Sequence, residues 1–386
     1  MRAAASRTPL SSSDGAGASD GAGDGAPARS APGPDTAEIR RAVDAVLGEF
    51  LDRKLHATQP ARPAELIEAL RDFVFSGGKR IRPVLCVCGW YAAGGGGDPG
   101  PVLRAAASLE LFQAFALVHD DLMDASRTRR GRQSAHRLLA DLHRRRGGAG
   151  DADRFGANAA LLLGDLALVW SDELLHTADL EPGPRADAWA VLDVMRTEVM
   201  SGQYLDLLGT GRPVDDVERA LTVVRYKSAK YSVERPLHLG VALAGGGERA
   251  ERTRKACTAY ALPLGEAFQL RDDLLGVFGD PERTGKPAVD DLREGKATVL
   301  MALALSRATP AQLGLLRTLV GDPELDDRQA AAVREVLEES GARHEVERMI
   351  TSRCRRAVAV LDTALFPPPV AGALRRLARE VCTRSG

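Results

Sequence analysis

Apolar residues recur along most of the chain at helical spacing. Ile39, Val43, Val46 and Phe50 fall three or four residues apart, the period of one face of an α-helix. Asp35, with Glu38 three residues on, reads as the N-cap of that helix. The stretch "PAELIEALRDFVFSGGKR" repeats the pattern through Leu66, Leu70 and Phe73 until glycine ends it. The same period predicts helices over roughly 80–93, 102–125, 156–179, 185–209 and 214–228. Others fall over roughly 231–245, 249–278, 291–308, 326–339, 343–364 and 368–384. No segment shows the alternation of a half-buried strand, and nothing repeats at a fixed period. The expected fold is all-α.

Gly and Pro cluster in "AAGGGGDPG" near 92–100, "RRRGGAGDADRFG" near 144–156 and "TADLEPGPRAD" near 177–187. Similar apolar helices continue on both sides of each, so these are helix connections, not domain linkers. The second is long for a bundle and is expected to be partly disordered or to act as a lid. Residues 1–34 are small, polar and Gly/Pro-rich, without the apolar core of a secretory signal, and read as a disordered tail. A transit peptide is the rival reading, opposed by the tail's three Asp. One helical domain is therefore expected over 35–386, larger than a usual single core.

Composition narrows the function classes. Of 386 residues, 52 are Lys or Arg and 53 are Asp or Glu, a formal net charge of -1. No global field argues for a nucleic-acid partner, so any charge logic is local. No stretch approaches the ~18 apolar residues of a membrane span. Five cysteines, an odd count without framework spacing, predict reduced thiols in a cytoplasmic protein. Cys86 and Cys88 in an apolar run read as core, not as a metal knuckle.

The informative stretch is "LVHDDLMDASRTRRG". Asp120 and Asp124 lie four apart and project side by side, a like-charge pair costing roughly 0.2–0.5 kcal/mol even on an open helix. Asp272 and Asp273 repeat the pattern in "FQLRDDLLGVFGD". Either cluster alone is most simply a solvated face. Yet apolar residues surround both, as in "FQAFALVHDDLM", and cations follow each. Those cations are Lys79, Arg80 and Arg82 in "SGGKRIRP", Arg129 and Arg130 in "TRRG", Lys227 in "YKSAKY", Lys286 in "TGKP" and Lys296 in "EGKAT". Singly each reads as surface charge; together they describe a cleft for polyphosphate and metal. Carboxylates without His or Cys suit Mg²⁺, which fills its shell with water and phosphate oxygens, and Arg forks match phosphate bidentately. "GGKR" lacks the spacing of a nucleotide-binding phosphate loop.

At these residues the chain resembles the trans-isoprenyl diphosphate synthase, or polyprenyl synthetase, family. The resemblance runs through "GGKRIRP", "DDLMDASRTRRG", "GQYLD" at 202–206, "FQLRDDLLGVFGD", "TGKP" and "EGK", in family order from about residue 36 onward. It implies an isoprenoid-synthase bundle of helices around a central cavity, and a homodimer. It also implies a Mg²⁺-dependent condensation of isopentenyl diphosphate with an allylic diphosphate. By resemblance, Asp120 and Asp124 coordinate two Mg²⁺ with Asp121 in support, and Asp272, with Asp273 beside it, coordinates a third. Arg129, Lys227 and Lys286 would hold the allylic diphosphate, with Gln269 near them. Lys79, Arg82 and Arg130 would hold isopentenyl diphosphate, with Gln113 where His is frequent and Ser228 where Thr is common. The second motif departs from the family pattern: Gly276 stands in place of its third aspartate, and Asp280 lies a turn further on.

Product length is expected to depend on what blocks the apolar tunnel below the first motif. Phe115 followed by small Ala116 resembles the C20, geranylgeranyl arrangement more than the farnesyl one; ordinary core packing is the plainer role for Phe115. Farnesyl or longer products are the near alternatives. A class I terpene cyclase would not need the isopentenyl cations. A non-catalytic partner subunit would be expected to lose aspartates or lysines, and a helical scaffold leaves the enclosed acidic pairs unexplained.

Overall fold

Asp35 caps the first helix as its position predicts, Oδ1 accepting from the Ala37 and Glu38 amides at 2.8 and 3.4 Å. The computed structural model describes residues 34–57, 64–211, 214–280, 288–363 and 365–382; the tail expected over 1–34 lies, Pro34 apart, outside them. Helices α1 (Thr36–His56), α2 (Ala64–Phe75), α3 (Ile81–Ala93) and α4 (Gly100–Met123) come first. Two short strands follow, β1 (Thr128–Arg129) and β2 (Arg132–Gln133), then α5 (Ala135–Arg145), α6 (Ala152–His176) and α7 (Pro182–Gly209). α8 (Val217–Val223) runs into a π-helical segment, Val224–Glu234, which continues as α9 (Arg235–Leu243) before the long α10 (Glu248–Phe278). The remainder is α11 (Asp290–Glu294), α12 (Val299–Arg307), α13 (Pro310–Leu319), α14 (Asp327–Glu339), α15 (Ala342–Val360) and α16 (Pro368–Cys382).

The apolar stripes converge on two clusters. The larger gathers Leu47, Leu85, Phe112, Leu163 and Tyr260 from α1, α3, α4, α6 and the first half of α10. The smaller gathers Leu270, Leu274 and Val277 from the second half of α10 with Leu292, Leu303 and Leu337 of α11, α12 and α14. α10 is the spine common to both, which is how one chain of this length exceeds the size of a single core. α4 packs along α6, α3 along α9, and α10 against the π-helical segment and α15.

Several expectations are corrected. The segment read as a long connection near 144–156 is mostly helix: α5 reaches Arg145, and Asp151 caps α6 by accepting from the Asp153 and Arg154 amides. The helix expected over 291–308 is broken at Gly295, whose left-handed φ of 62° ends α11. α5 and α13 were not predicted. The chain does contain a hairpin, Thr128 paired with Gln133 and Arg129 with Arg132. α4 is long and apolar enough to span a membrane by length and composition, but 67% of its most apolar window is buried in the fold. Nor are all thiols reduced. Cys354 and Cys382 form a disulfide, because α15 and α16 pack with these Cα atoms 6.3 Å apart, within bonding range. Cys86, Cys88 and Cys257 are free and buried, and burial pushes the Cys88 thiol up to about 12.

Candidate active site

The last turn of α4 carries Asp120 and Asp121, with Asp124 as its C-cap. Carboxylates are unfavourable at a helix C-terminus, the negative end of the macrodipole, so this placement needs cations from elsewhere. They are present. Lys227 Nζ lies 2.9 Å from Asp120 Oδ1 and 2.6 Å from Asp206 Oδ2. Arg129 Nη2 lies 3.3 Å from Asp120 Oδ2, and its Nε donates to both oxygens of the fully buried Asp121 at 2.9 and 3.1 Å. Lys296 Nζ sits 3.2 Å from Asp124, 3.4 Å from Asp291 and 2.9 Å from Glu294. Burial alone would raise Asp120, but Lys227, Lys296 and Arg129 outweigh it and hold the carboxyl well below its usual range. Asp124 goes the other way: burial raises it, Lys296 opposes, and Asp120 adds to the rise.

Across the cleft, the second half of α10 presents Asp272 and Asp273. Gln269 Nε2 donates to Asp273 Oδ1 at 2.8 Å. Burial pushes Asp273 up to about 7, against that hydrogen bond and with Asp291 and Asp272 adding to the rise. Burial also lifts Glu294 to about 7, against Lys296.

Both acidic groups open on one cavity of about 480 Å³, within the range of small-molecule sites. Its lining includes Lys79, Arg82, Gln113, Asp120, Arg129, Arg130, Lys227, Ser228, Gln269, Asp272 and Asp273. Sequence positions up to two hundred residues apart are thus brought together. Arg82 donates to Ser232 Oγ at 2.7 Å and stacks 4.3 Å from the centre of the Tyr231 ring. Arg130 stands on the hairpin turn with a left-handed φ of 53° and donates to the Gly77 carbonyl, which ties the two cation-bearing loops together. Arg80 also borders the cavity, but its guanidinium is taken up by the protein. It is buried and donates to Asp44 at 2.7 Å, Glu110 at 2.9 Å and the Val74 carbonyl at 2.9 Å. Lys286 lies outside the described residues. Phe115 does not line the cavity; its buried ring packs on Phe112 and His119, while Ala116, on the other face of α4, is in the lining.

The π-helical segment aims Lys227. Glu198 of α7 accepts from Lys230 and from Arg235 Nε at 2.7 Å. On the opposite side Thr258 of α10 donates to Glu234 at 2.9 Å and pairs with His238 Nε2 at 2.9 Å. Burial, reinforced by Arg235, depresses His238 to about 3, so this network holds it neutral. Gly202 permits the approach of α7: a Cβ there would stand 2.6 Å from Tyr226 C and 2.7 Å from Lys227 Cα. Sequence reasoning named Lys296 without a role, left Gln203 and Asp206 unassigned within "GQYLD", left Glu294 unassigned within "EGK" and missed Asp291. The acidic run flanking "EGK" was the available signal for the last two.

A model of the polyprenyl synthetase family matches residues 63–339. The chain belongs to this family. It is 33% identical over 310 residues to a (2E,6E)-farnesyl diphosphate synthase of Mycobacterium tuberculosis, covering 80% of each chain. It is 32% identical over 281 residues to a short chain isoprenyl diphosphate synthase of Methanothermobacter thermautotrophicus, covering 72% of this chain and 78% of the other. A geranylgeranyl pyrophosphate synthase from Corynebacterium glutamicum, solved with isoprenyl diphosphate and magnesium, superposes with a TM-score of 0.86 at 40% identity, over 91% of this chain and all of that one. This polyprenyl synthetase is a trans-prenyltransferase of the short-chain prenyl diphosphate type.

The family is Mg²⁺-dependent, and the residues present fit that ion. The donors are all carboxylate oxygens, and the buried Asp124 Oδ2 is held only by an ion pair, with Lys296 Nζ at 3.2 Å. Among the described residues no three acidic, His or Cys side chains converge tightly enough to form a cage. One or two carboxylates from each wall leave the rest of a Mg²⁺ shell to water and phosphate.

Proposed function

We propose that this enzyme condenses isopentenyl diphosphate with an allylic diphosphate to make all-trans geranylgeranyl diphosphate, C20. The observation carrying the reading is that one cavity is lined both by facing carboxylates with their own cations, Lys227 and Arg129, and by a second cationic set, Lys79, Arg82 and Arg130. Two diphosphates thus have separate seats. A class I cyclase has no use for the second.

In this reading Asp120, Asp124 and Asp272 hold Mg²⁺, three ions in all, with Asp121 and Asp273 in support. The metal supplies Lewis-acid stabilisation of the departing diphosphate. Lys227 and Arg129 release part of their hold on Asp120 and Asp121 to bind the allylic diphosphate, with Gln269 and Lys286 beside it. Lys79, Arg82 and Arg130, with Gln113 and Ser228, fix isopentenyl diphosphate so that its double bond faces the allylic C1. The C1–O bond breaks with its electron pair leaving on diphosphate. The isopentenyl π electrons then form the new C–C bond, and the C2 proton passes to the diphosphate oxygen. The cavity wall of Ala116, Leu117, Val199 and Phe268 keeps water from the cation.

The C20 assignment is supported by small Ala116 in the cavity lining and by the likeness to the Corynebacterium enzyme. A homodimer is supported by apolar side chains exposed along α6 and α7: Leu161, Leu162, Val169, Val194, Met200 and Leu208. Labelled isopentenyl diphosphate, given with Mg²⁺ and dimethylallyl, geranyl or farnesyl diphosphate in turn, should yield a C20 alcohol after dephosphorylation. A product shorter or longer than C20 would refute the chain length alone. No product from any primer would refute the reaction. Sedimentation should give twice the chain mass.

A further inference from the structure

Positions 272, 273 and 276 of α10 lie within one turn, so a side chain at 276 would share the cavity-facing side with Asp272 and Asp273. Gly276 provides none. The space is nonetheless filled: a Cβ built on Gly276 would stand 2.8 Å from Asp291 Cγ, and Oδ2 is nearer still. Asp291 reaches this point from α11, which the left-handed Gly295 terminates so that the chain doubles back. The Lys296 amide then donates to the Asp291 carbonyl at 3.3 Å, and Lys296 Nζ lies 3.4 Å from Asp291 Oδ1. One oxygen of Asp291 is therefore held by the ammonium that also faces Asp124, and the other is pressed against α10 beside the second acidic pair.

We infer that Asp291 supplies, from α11, the carboxylate that α10 lacks at Gly276, and so completes the metal-facing wall formed by Asp272 and Asp273. This rests on the prenyl-transfer reading for the identity of the metal. It does not rest on that reading for the exchange of one seat between two residues. The glycine is then a requirement of the wall and not a loss: any side chain at 276 must expel Asp291.

The test is a residue swap. Wild type, Gly276→Asp, Asp291→Ala and the double variant are compared by Mn²⁺ binding in the presence of inorganic pyrophosphate, read by electron paramagnetic resonance, and by metal-free Tm. Asp291→Ala should weaken Mn²⁺ about tenfold, the size seen for supporting groups at metal sites. Gly276→Asp should lower the metal-free Tm, because two carboxylates compete for one space. The double variant should recover both quantities. A double variant binding Mn²⁺ no better than Asp291→Ala would overturn the inference. So would Asp291→Asn binding Mn²⁺ like wild type, since the amide keeps the Lys296 contact and loses only the charge. Wild-type elongation is measured separately: no product with the swap pattern intact sinks the reaction and keeps the shared seat.

Discussion

Removing the Lys296 ammonium should destabilise the metal-free enzyme by an amount that depends on pH. Three carboxylates lie 2.9 to 3.4 Å from Nζ. At an effective dielectric of ~20 each contact is worth about 5 kcal/mol of gross attraction. Desolvation cancels most of this, and deleting one partner of a buried ion cluster costs about 3–5 kcal/mol. Protonation provides relief. Glu294 is already lifted to about 7 by burial, against the opposing pull of Lys296, so in Lys296→Gln it should titrate higher still. A carboxyl whose folded pKa is raised contributes stability that is fully present below its unfolded pKa and is lost as pH rises through the folded one. Near pH 6 the variant can take up a proton and should lose only about 1–2 kcal/mol. Near pH 8 it must carry bare carboxylates or bind the proton at a cost of about 1.4 kcal/mol per pH unit, and the full 3–5 kcal/mol should appear. At about 2 °C per kcal/mol for a chain of this size, the Tm deficit should grow from roughly 3 °C to roughly 8 °C. Differential scanning calorimetry of both proteins at the two pH values reads this directly. A deficit equal at both, or larger near pH 6, would refute the charge argument and leave Lys296 a packing residue.

Gly202→Ala should push the π-helical segment off α7 and cost about 1–3 kcal/mol as an overpacked contact. Because it displaces Lys227, kcat should fall on the order of a hundredfold; a stability loss without that fall would separate Gly202 from the site. Replacing both Cys354 and Cys382 with Ala opens a loop spanning 28 positions, and chain entropy predicts a loss of about 3–4 kcal/mol, visible in urea midpoints. Unchanged midpoints would show that α15 and α16 do not depend on the crosslink. Ala116→Phe, which fills the cavity wall, should shorten the product, whereas Phe115→Ala, outside that lining, should leave its length unchanged. A product of unchanged length from Ala116→Phe would put the tunnel floor elsewhere.

The acidic walls were legible because they broke a rule: Asp120 and Asp272 sit where helical periodicity demands apolar or well-compensated residues. Their cations were legible as types and not as contacts. Arg80 stands between Lys79 and Arg82 in sequence, yet its guanidinium is held by Asp44, Glu110 and the Val74 carbonyl, and no spacing rule separates it from its neighbours. Lys296 hid inside a predicted helix, since the break at Gly295 depends on one backbone torsion. The Cys354–Cys382 pairing is a tertiary fact, set by how α15 meets α16. Phe115 was read by its distance from Asp120 along the chain. On the helix that distance lays its ring against Phe112 and His119 and leaves Ala116 facing the cavity.

The π-helical segment was invisible to the 3.6-residue period, and it makes chain length a functional variable. Its i to i+5 hydrogen bonding widens each turn and brings Lys227 and Ser232, five apart, onto the same wall, where they face Asp120 and Arg82. An α-helix would set these two about 140° apart. Deleting Val224, Arg225 or Tyr226 would let ordinary helix close, with better backbone bonds and the side chains downstream, Lys227 first among them, turned through about 100°. A single-codon deletion here would thus leave a sound helix with a misaimed lysine, a lesion that no substitution table would rank.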